Sequence, residues 1–199
     1  MKLLLGTTNP AKIEDYRKYL VHSNLELVTL KDLKILDEPL EIGKTYKENA
    51  LLKAQFYGER SEYPTLGEDG GFEVEALDGR PGLESNRWLG PEASDRDKVE
   101  RILEYAKHEK NRKASFKVVT CVYFPPEREA IYVESSIHGV IPKRAHPVIL
   151  KGFPYRSIFY LPQFQKYYLD LTEEEHEQVN HRKQACKEML IKLEPYLNS

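Results

Sequence analysis

Nowhere do apolar residues run long enough to span a bilayer, and the leucines after Lys2 give way at once to a polar turn. That opening is too short for the apolar stretch of a secretory leader. Cysteine is scarce: Cys121 and Cys186 stand far apart, with neither metal-ligand spacing nor a disulfide framework. They read as reduced, semi-buried thiols. Neither sign of charge dominates, since 30 Lys and Arg are mixed with 32 Asp and Glu. No basic or acidic excess therefore commits the chain to nucleic acid or to a membrane surface. Internal repeats, low-complexity tracts and an obvious linker are also lacking. These absences predict a soluble, cytoplasmic protein. At 199 residues it can bury a real core, as one generous domain or two small lobes.

What is present alternates between strand and helix. Residues 3–7 read as a buried strand, 10–21 as a helix and 25–30 as a short strand, with a polar stretch up to Lys44. A second helix is expected over 45–59. Residues 65–71 read as strand into loop and 72–77 as an alternating strand, before the turn cluster Gly79-Arg80-Pro81-Gly82. Ser94, with Asp97 three residues on, opens a helix to about His108. Residues 114–124 and 129–137 flank Pro125-Pro126-Glu127 as a hairpin, and 148–161 reads as loop and strand. Thr172 and Glu175 form a capping box for one last helix to about Leu193. The sum predicts an α/β fold with a mixed central sheet and flanking helices.

Three clusters carry candidate chemistry. In the first, Thr7-Thr8-Asn9-Pro10-Ala11-Lys12 joins strand to helix. Asn9 suits an N-cap and Pro10 the first helical turn. Unpaired N–H groups, two hydroxyls and the Lys12 ammonium at a helix mouth make a phosphate cradle. An ordinary capped turn with a solvated lysine satisfies the same pattern.

In the second cluster, Asn49 and Lys53 share one helix face, while Glu48 lies about 100° round from Asn49. Glu48 equally fits a capping box begun by Thr45. The third cluster is Gly67-Glu68-Asp69-Gly70-Gly71-Phe72. Adjacent carboxylates before paired glycines suit a loop where backbone approaches a ligand, and carboxylates at a strand end suit Mg²⁺. A polar Asp-Gly turn is the alternative.

Together these clusters resemble the inosine/xanthosine triphosphate pyrophosphatase family. The resemblance rests on Thr7-x-Asn9-x-x-Lys12, Glu48-Asn49-Ala50-x-x-Lys53-Ala54, Glu68-Asp69-x-Gly71 and Pro81-Gly82-x-x-Ser85-x-Arg87. It continues through Gly152-Phe153-x-Tyr155-x-x-Ile158-Phe159 and His181-Arg182, in the same order. It implies a single pyrophosphatase domain over 1–199, with two lobes and a cleft between them. The implied reaction is Mg²⁺-dependent hydrolysis of ITP, dITP or XTP to monophosphate and pyrophosphate. Thr7, Thr8, Asn9, Lys12 and Lys53 would bind the triphosphate, with backbone at Gly70. Glu48 and Asp69 would hold Mg²⁺, and Asp69 would also activate water, assisted by Lys12 and Lys53. Phe153 would stack on the purine, beside Tyr155, Arg156 and His176, while His181 and Arg182 address its 6-oxo edge. A homodimer is implied, without nucleic acid or membrane as partner.

The departures concentrate on the base side. Pro154 replaces a family glycine, Arg156 an aspartate, His176 a lysine and Asn180 a serine. Exchanging carboxylate for guanidinium reverses the charge and turns an acceptor into a donor only. The preceding loop, residues 142–147, is basic and lacks the family's glycines. Two alternatives therefore stand beside the main expectation: a pyrophosphatase with a shifted nucleotide preference, and a non-catalytic nucleotide-binding module.

Overall fold

Three leucines in a row, Leu3, Leu4 and Leu5, are each fully buried in β1 (Lys2–Leu5). The strand has parallel neighbours on both edges and helices on both faces, so apolar residues run on without alternation. β2 (Glu26–Thr29) pairs along one edge, with Leu3 opposite Leu27. β3 (Thr65–Val74) takes the other, with Leu4 opposite Thr65. The protein is described by a computed structural model covering residues 1–197.

In sheet order the strands read β2-β1-β3-β5-β6-β7-β8, with β4 paired to β3. The described residues form two compact units: Met1–Asp69, Val118–Ser135 and residues 181–197 make the first, and Gly70–Lys117 with Ser136–Asn180 the second. Strands β3, β5 (Lys113–Phe124) and β6 (Glu129–Val140) each change unit part-way along.

In the first unit the faces of β1 divide the helices. Leu3 and Leu5 pack with Tyr16 of α1 (Pro10–Tyr19), with Leu20 just after it, and with Ala185, Cys186, Met189 and Leu193 of α5 (His181–Leu197). Leu4 packs the other way, with Val28, Leu30 and Tyr57 of α2 (Tyr46–Ser61). Gly67 brings α2 close to β3: a Cβ there would lie 2.2 Å from the Ala50 carbonyl oxygen and 2.7 Å from the Ala54 nitrogen. No side chain fits at that crossing.

The second unit is built around aromatic rings. Phe72 of β3 stacks on Tyr155 at 5.1 Å and meets Phe159 edge-on at 5.8 Å. α3 (Asp95–Tyr105) contributes Val99 and Ile102 to this core. Its start carries the expected capping box, with Ser94 and Asp97 serving each other's backbone N–H. β4 (Pro81–Gly82) pairs antiparallel with β3, and β7 (Tyr160–Leu161) with both β6 and β8 (Lys166–Tyr167).

Three expectations need correction. Gly70 and Gly71 lie inside β3 rather than in a loop, so the strand runs on to Val74. Residues 148–161 hold a 3-10 turn, Pro154–Ile158, and only a two-residue strand. The last helix is two: α4 (Glu173–Val179) stops at Asn180, whose extended backbone (φ −65°, ψ 105°) breaks the run before α5. Both cysteines are free and buried, and their thiols are pushed up to about 12, Cys121 by burial and Cys186 by burial and the nearby Glu68 charge. At neutral pH they are inert.

Candidate active site

The mouth of α1 is built as its sequence dictates. Asn9 caps the helix, its Oδ1 accepting from the N–H groups of Ala11 (3.0 Å) and Lys12 (3.3 Å). The Asn9 N–H in turn donates to the Thr7 hydroxyl at 3.2 Å. Thr8 donates to Glu38 at 3.2 Å. Lys12 has its counter-ion within the protein: Glu68, at 3.0 Å.

Glu68 and Asp69 owe their different surroundings to strand geometry. Successive side chains of a strand point to opposite faces. Glu68 therefore faces α1 and α5, where the Tyr16 hydroxyl donates to it and Arg182 grips it with two N–H groups at 2.8 and 3.0 Å. Arg182 also binds Asp15. Burial opposes ionisation of Glu68, but Lys12 and Arg182 outweigh it and hold the carboxyl well below the usual carboxylate range. Burial and the Glu68 charge push the Tyr16 phenol well above its ordinary value, so it stays a donor.

Asp69 faces α2. One of its oxygens accepts from Asn49 Nδ2 at 3.1 Å and the other from Lys53 Nζ at 3.1 Å. Lys53 also reaches the Glu68 carbonyl (3.2 Å) and the Glu41 carboxylate (2.8 Å). Burial disfavours its charge, yet Asp69 and Glu41 more than compensate and raise its pKa. The close approach of α2 at Gly67 sets Asn49 and Lys53, four residues apart, over Asp69.

Glu48 does not join this group by any hydrogen bond or ion pair. Its carboxylate accepts from the Lys44 N–H at 2.5 Å, and its own N–H donates to Thr45. That is half of the expected capping box, with the return bond falling one residue early. Among the described residues, no three or more His, Cys, Asp and Glu gather as a metal cage. Gly70 follows Asp69 in β3.

The remaining candidates are distributed. His181 and Arg182 open α5 in the first unit. Phe153, Tyr155, Arg156 and His176 belong to the second. Phe153 is 38% exposed, whereas Tyr155 is buried, stacked on Phe72 and donating its hydroxyl to the Ser85 carbonyl. Burial and Asp95 raise the Tyr155 pKa. Arg156 lies over Phe153, and His176 meets Tyr168 edge-on.

Sequence reasoning missed Glu68 as a hub, Tyr16 and Asp15 as its supports, and Glu41 beside Lys53; Asn49, singled out with Lys53 on one helix face, does meet Asp69. The adjacent pair Glu68-Asp69 was the available signal, given a strand that does not break at Gly70.

Residues 3–192 match the model of the Ham1 family. The chain belongs to the Ham1 family. It is 37% identical to a dITP/XTP pyrophosphatase of Thermus thermophilus, over 96% of this chain and 90% of that protein. With a dITP/XTP pyrophosphatase of Leptospira interrogans it shares 34% identity over 95% of each chain. Among solved structures, the Ham1 protein of Staphylococcus aureus matches with a TM-score of 0.86 at 26% identity, over 98% of this chain and 100% of that one. The Ham1 match extends from β1 into α5 and so includes the helix mouth, both carboxylates of β3 and Arg182.

Proposed function

We propose that this member of the Ham1 family is a cytoplasmic nucleoside triphosphate pyrophosphatase, converting non-standard purine nucleotides such as ITP, dITP and XTP to monophosphate and pyrophosphate. The observation that carries the reading is the buried Asp69 carboxylate held between Lys53 and Asn49, with a second carboxylate, Glu41, on the same ammonium. Asp69 is the base for the attacking water, and Lys53 stabilises charge that builds on phosphate oxygens in the transition state. Thr7, Thr8, Asn9, Lys12 and the backbone at Gly70 take the triphosphate. Phe153 takes the base, with Tyr155, Arg156, His176, His181 and Arg182.

Magnesium is the metal proposed. Two carboxylates gathered round one ammonium form a site that already favours a cation, and Mg²⁺ characteristically takes one or two protein carboxylates plus phosphate oxygens and waters. Asp69 and Glu41 fit that need, with Glu48 retained from the family pattern. When bound, the metal would neutralise phosphate charge and acidify water. The reading takes residues 1–199 as one functional domain working as a homodimer, with neither nucleic acid nor membrane as partner. Among the described residues no helix is long and apolar enough to cross a membrane.

The test is pyrophosphate release with Mg²⁺ from ITP, XTP, dITP and the common ribo- and deoxynucleotides. Release confined to the non-standard purines is expected, and silence from nucleotides that still bind would overturn the enzyme reading. A second outcome follows from Thr8, which is engaged by the exposed Glu38. Incoming phosphate must displace that carboxylate. Glu38→Ala is expected to lower KM about threefold with kcat unchanged, the size of one weak hydrogen bond lost from the free enzyme alone. An unaltered KM for ITP would refute the displacement.

A further inference from the structure

Arg156 sits in the 3-10 turn Pro154–Ile158, three residues after Phe153. Its guanidinium carbon lies 4.3 Å from the Phe153 ring centroid and 5.6 Å from that of Tyr168. A cation over aromatic faces is held by the ring quadrupoles, without using its N–H groups. Among the described residues, no hydrogen bond or ion pair takes up those N–H groups, and only the backbone N–H of Arg156 is engaged, with the Phe153 carbonyl at 3.3 Å. A half-buried guanidinium with an unused donor edge is poised for acceptors from outside the chain.

The neighbouring groups leave that role to Arg156. His176 of α4 packs edge-on to Tyr168 at 4.6 Å, and burial together with Arg156 lowers its pKa, so it is neutral at physiological pH. Glu175 and Glu177 on the same helix pull His176 the other way, and Glu175 is bound by Lys166 at 2.8 Å. The fixed positive charge among these rings is the arginine's.

Resting on the reading that Phe153 stacks on the purine, we infer that Arg156 yields its place over that ring to the incoming base and sets the base preference: its fork selects xanthine over hypoxanthine and disfavours guanine. The three bases differ at C2. Xanthine carries a carbonyl oxygen there beside N3, and it is the more acidic ring, so the two adjacent atoms share negative charge once the ring ionises. A guanidinium presents two parallel donors in matching geometry. Hypoxanthine offers a C–H at that position and leaves a donor unpaired. Guanine offers an amino group, a donor against a donor. A site built around a hydrogen bond rejects the analogue that lacks it.

The experiment is calorimetric titration of the full chain with xanthosine, inosine and guanosine monophosphates, for wild type, Arg156→Gln and Arg156→Lys. The wild type is expected to bind the xanthine nucleotide about ten- to a hundredfold more tightly than the inosine one, the span of a charge-assisted hydrogen bond, with guanosine weakest. The ratio is expected to collapse to about unity in R156Q and to fall between in R156K, which keeps the charge but not the fork. Being a ratio within each variant, it is insensitive to partial unfolding. Equal affinities in wild type, a preference that survives in R156Q, or no binding of any of the three would overturn the inference. Pyrophosphate release from XTP and ITP separates the two readings: turnover without preference leaves the pyrophosphatase standing and removes this role for Arg156. Preference in binding without turnover does the reverse.

Discussion

Glu68→Gln is expected to destabilise the protein by about 3 kcal/mol, seen as a fall in Tm of about 6–12 °C at neutral pH. Glu68 is 4% exposed and meets Lys12, Arg182 and the Tyr16 hydroxyl at once. Glutamine keeps the shape and offers Tyr16 an acceptor, but strips the charge that faces two cations. Breaking a buried pair by removing one partner leaves the other uncompensated, typically at a cost of about 3–5 kcal/mol. The lower end applies because Asp15 still binds Arg182 and the Lys12 side chain is 24% exposed. Acid supplies a second check. The folded-state pKa of Glu68 lies well below the ordinary carboxyl value, so its contribution is fully present above the unfolded value of about 4.3. It is lost progressively below that value and is gone once pH has fallen through the lower folded one. The gap between wild type and variant should therefore be flat from neutrality down to about 4.3, shrink progressively below that, and vanish below the folded value. Equal melting at pH 7 would mean that Lys12 and Arg182 are adequately solvated without Glu68.

That hub was only partly legible in the sequence. The helix start at Asn9-Pro10 and the capping box at Ser94 were readable because their chemistry is local: each orphan N–H is met by a side chain two or three residues away. Asp69-Gly70-Gly71 misled for the same local reason, since that composition favours turns. What holds it in β3 is non-local, namely pairing with β4, where Phe72 faces Gly82, and burial of Phe72 among aromatic rings. A turn would let neighbouring carboxylates converge, whereas the strand sends them to opposite faces, one to Arg182 and the other to Lys53. Arg182 is 114 residues from Glu68, beyond any spacing argument. Glu41 sits in a stretch without periodicity, so nothing but its contact with Lys53 marks it. The stop at Asn180 lacks the glycine or proline that announces a helix end.

Asp69→Asn is expected to lower kcat for pyrophosphate release by about 10²–10⁴ while nucleotide binding is retained, because an amide of the same shape cannot take a proton from water. The fold has reason to tolerate the change. Asn49 can still meet an oxygen at that position, and Lys53 keeps Glu41 at 2.8 Å and the Glu68 carbonyl at 3.2 Å. In the wild type Lys53 is cationic, since burial works against its charge but Asp69 and Glu41 raise the folded pKa above the ordinary lysine value; in the variant Glu41 remains as its counter-ion. The stabilisation is then fully present below the unfolded value of about 10.4 and is lost only as pH rises through the folded one. In the wild type its titration therefore lies outside any neutral assay. The two measurements together separate the readings of the site. On the proposed reading a hydrolase loses turnover while nucleotide is retained through Thr7, Thr8, Asn9 and Lys12. A non-catalytic nucleotide module has no turnover to lose. A kcat within tenfold of wild type in D69N would move the base to another residue, and Glu41, the second carboxylate on the same ammonium, is where the geometry would send it.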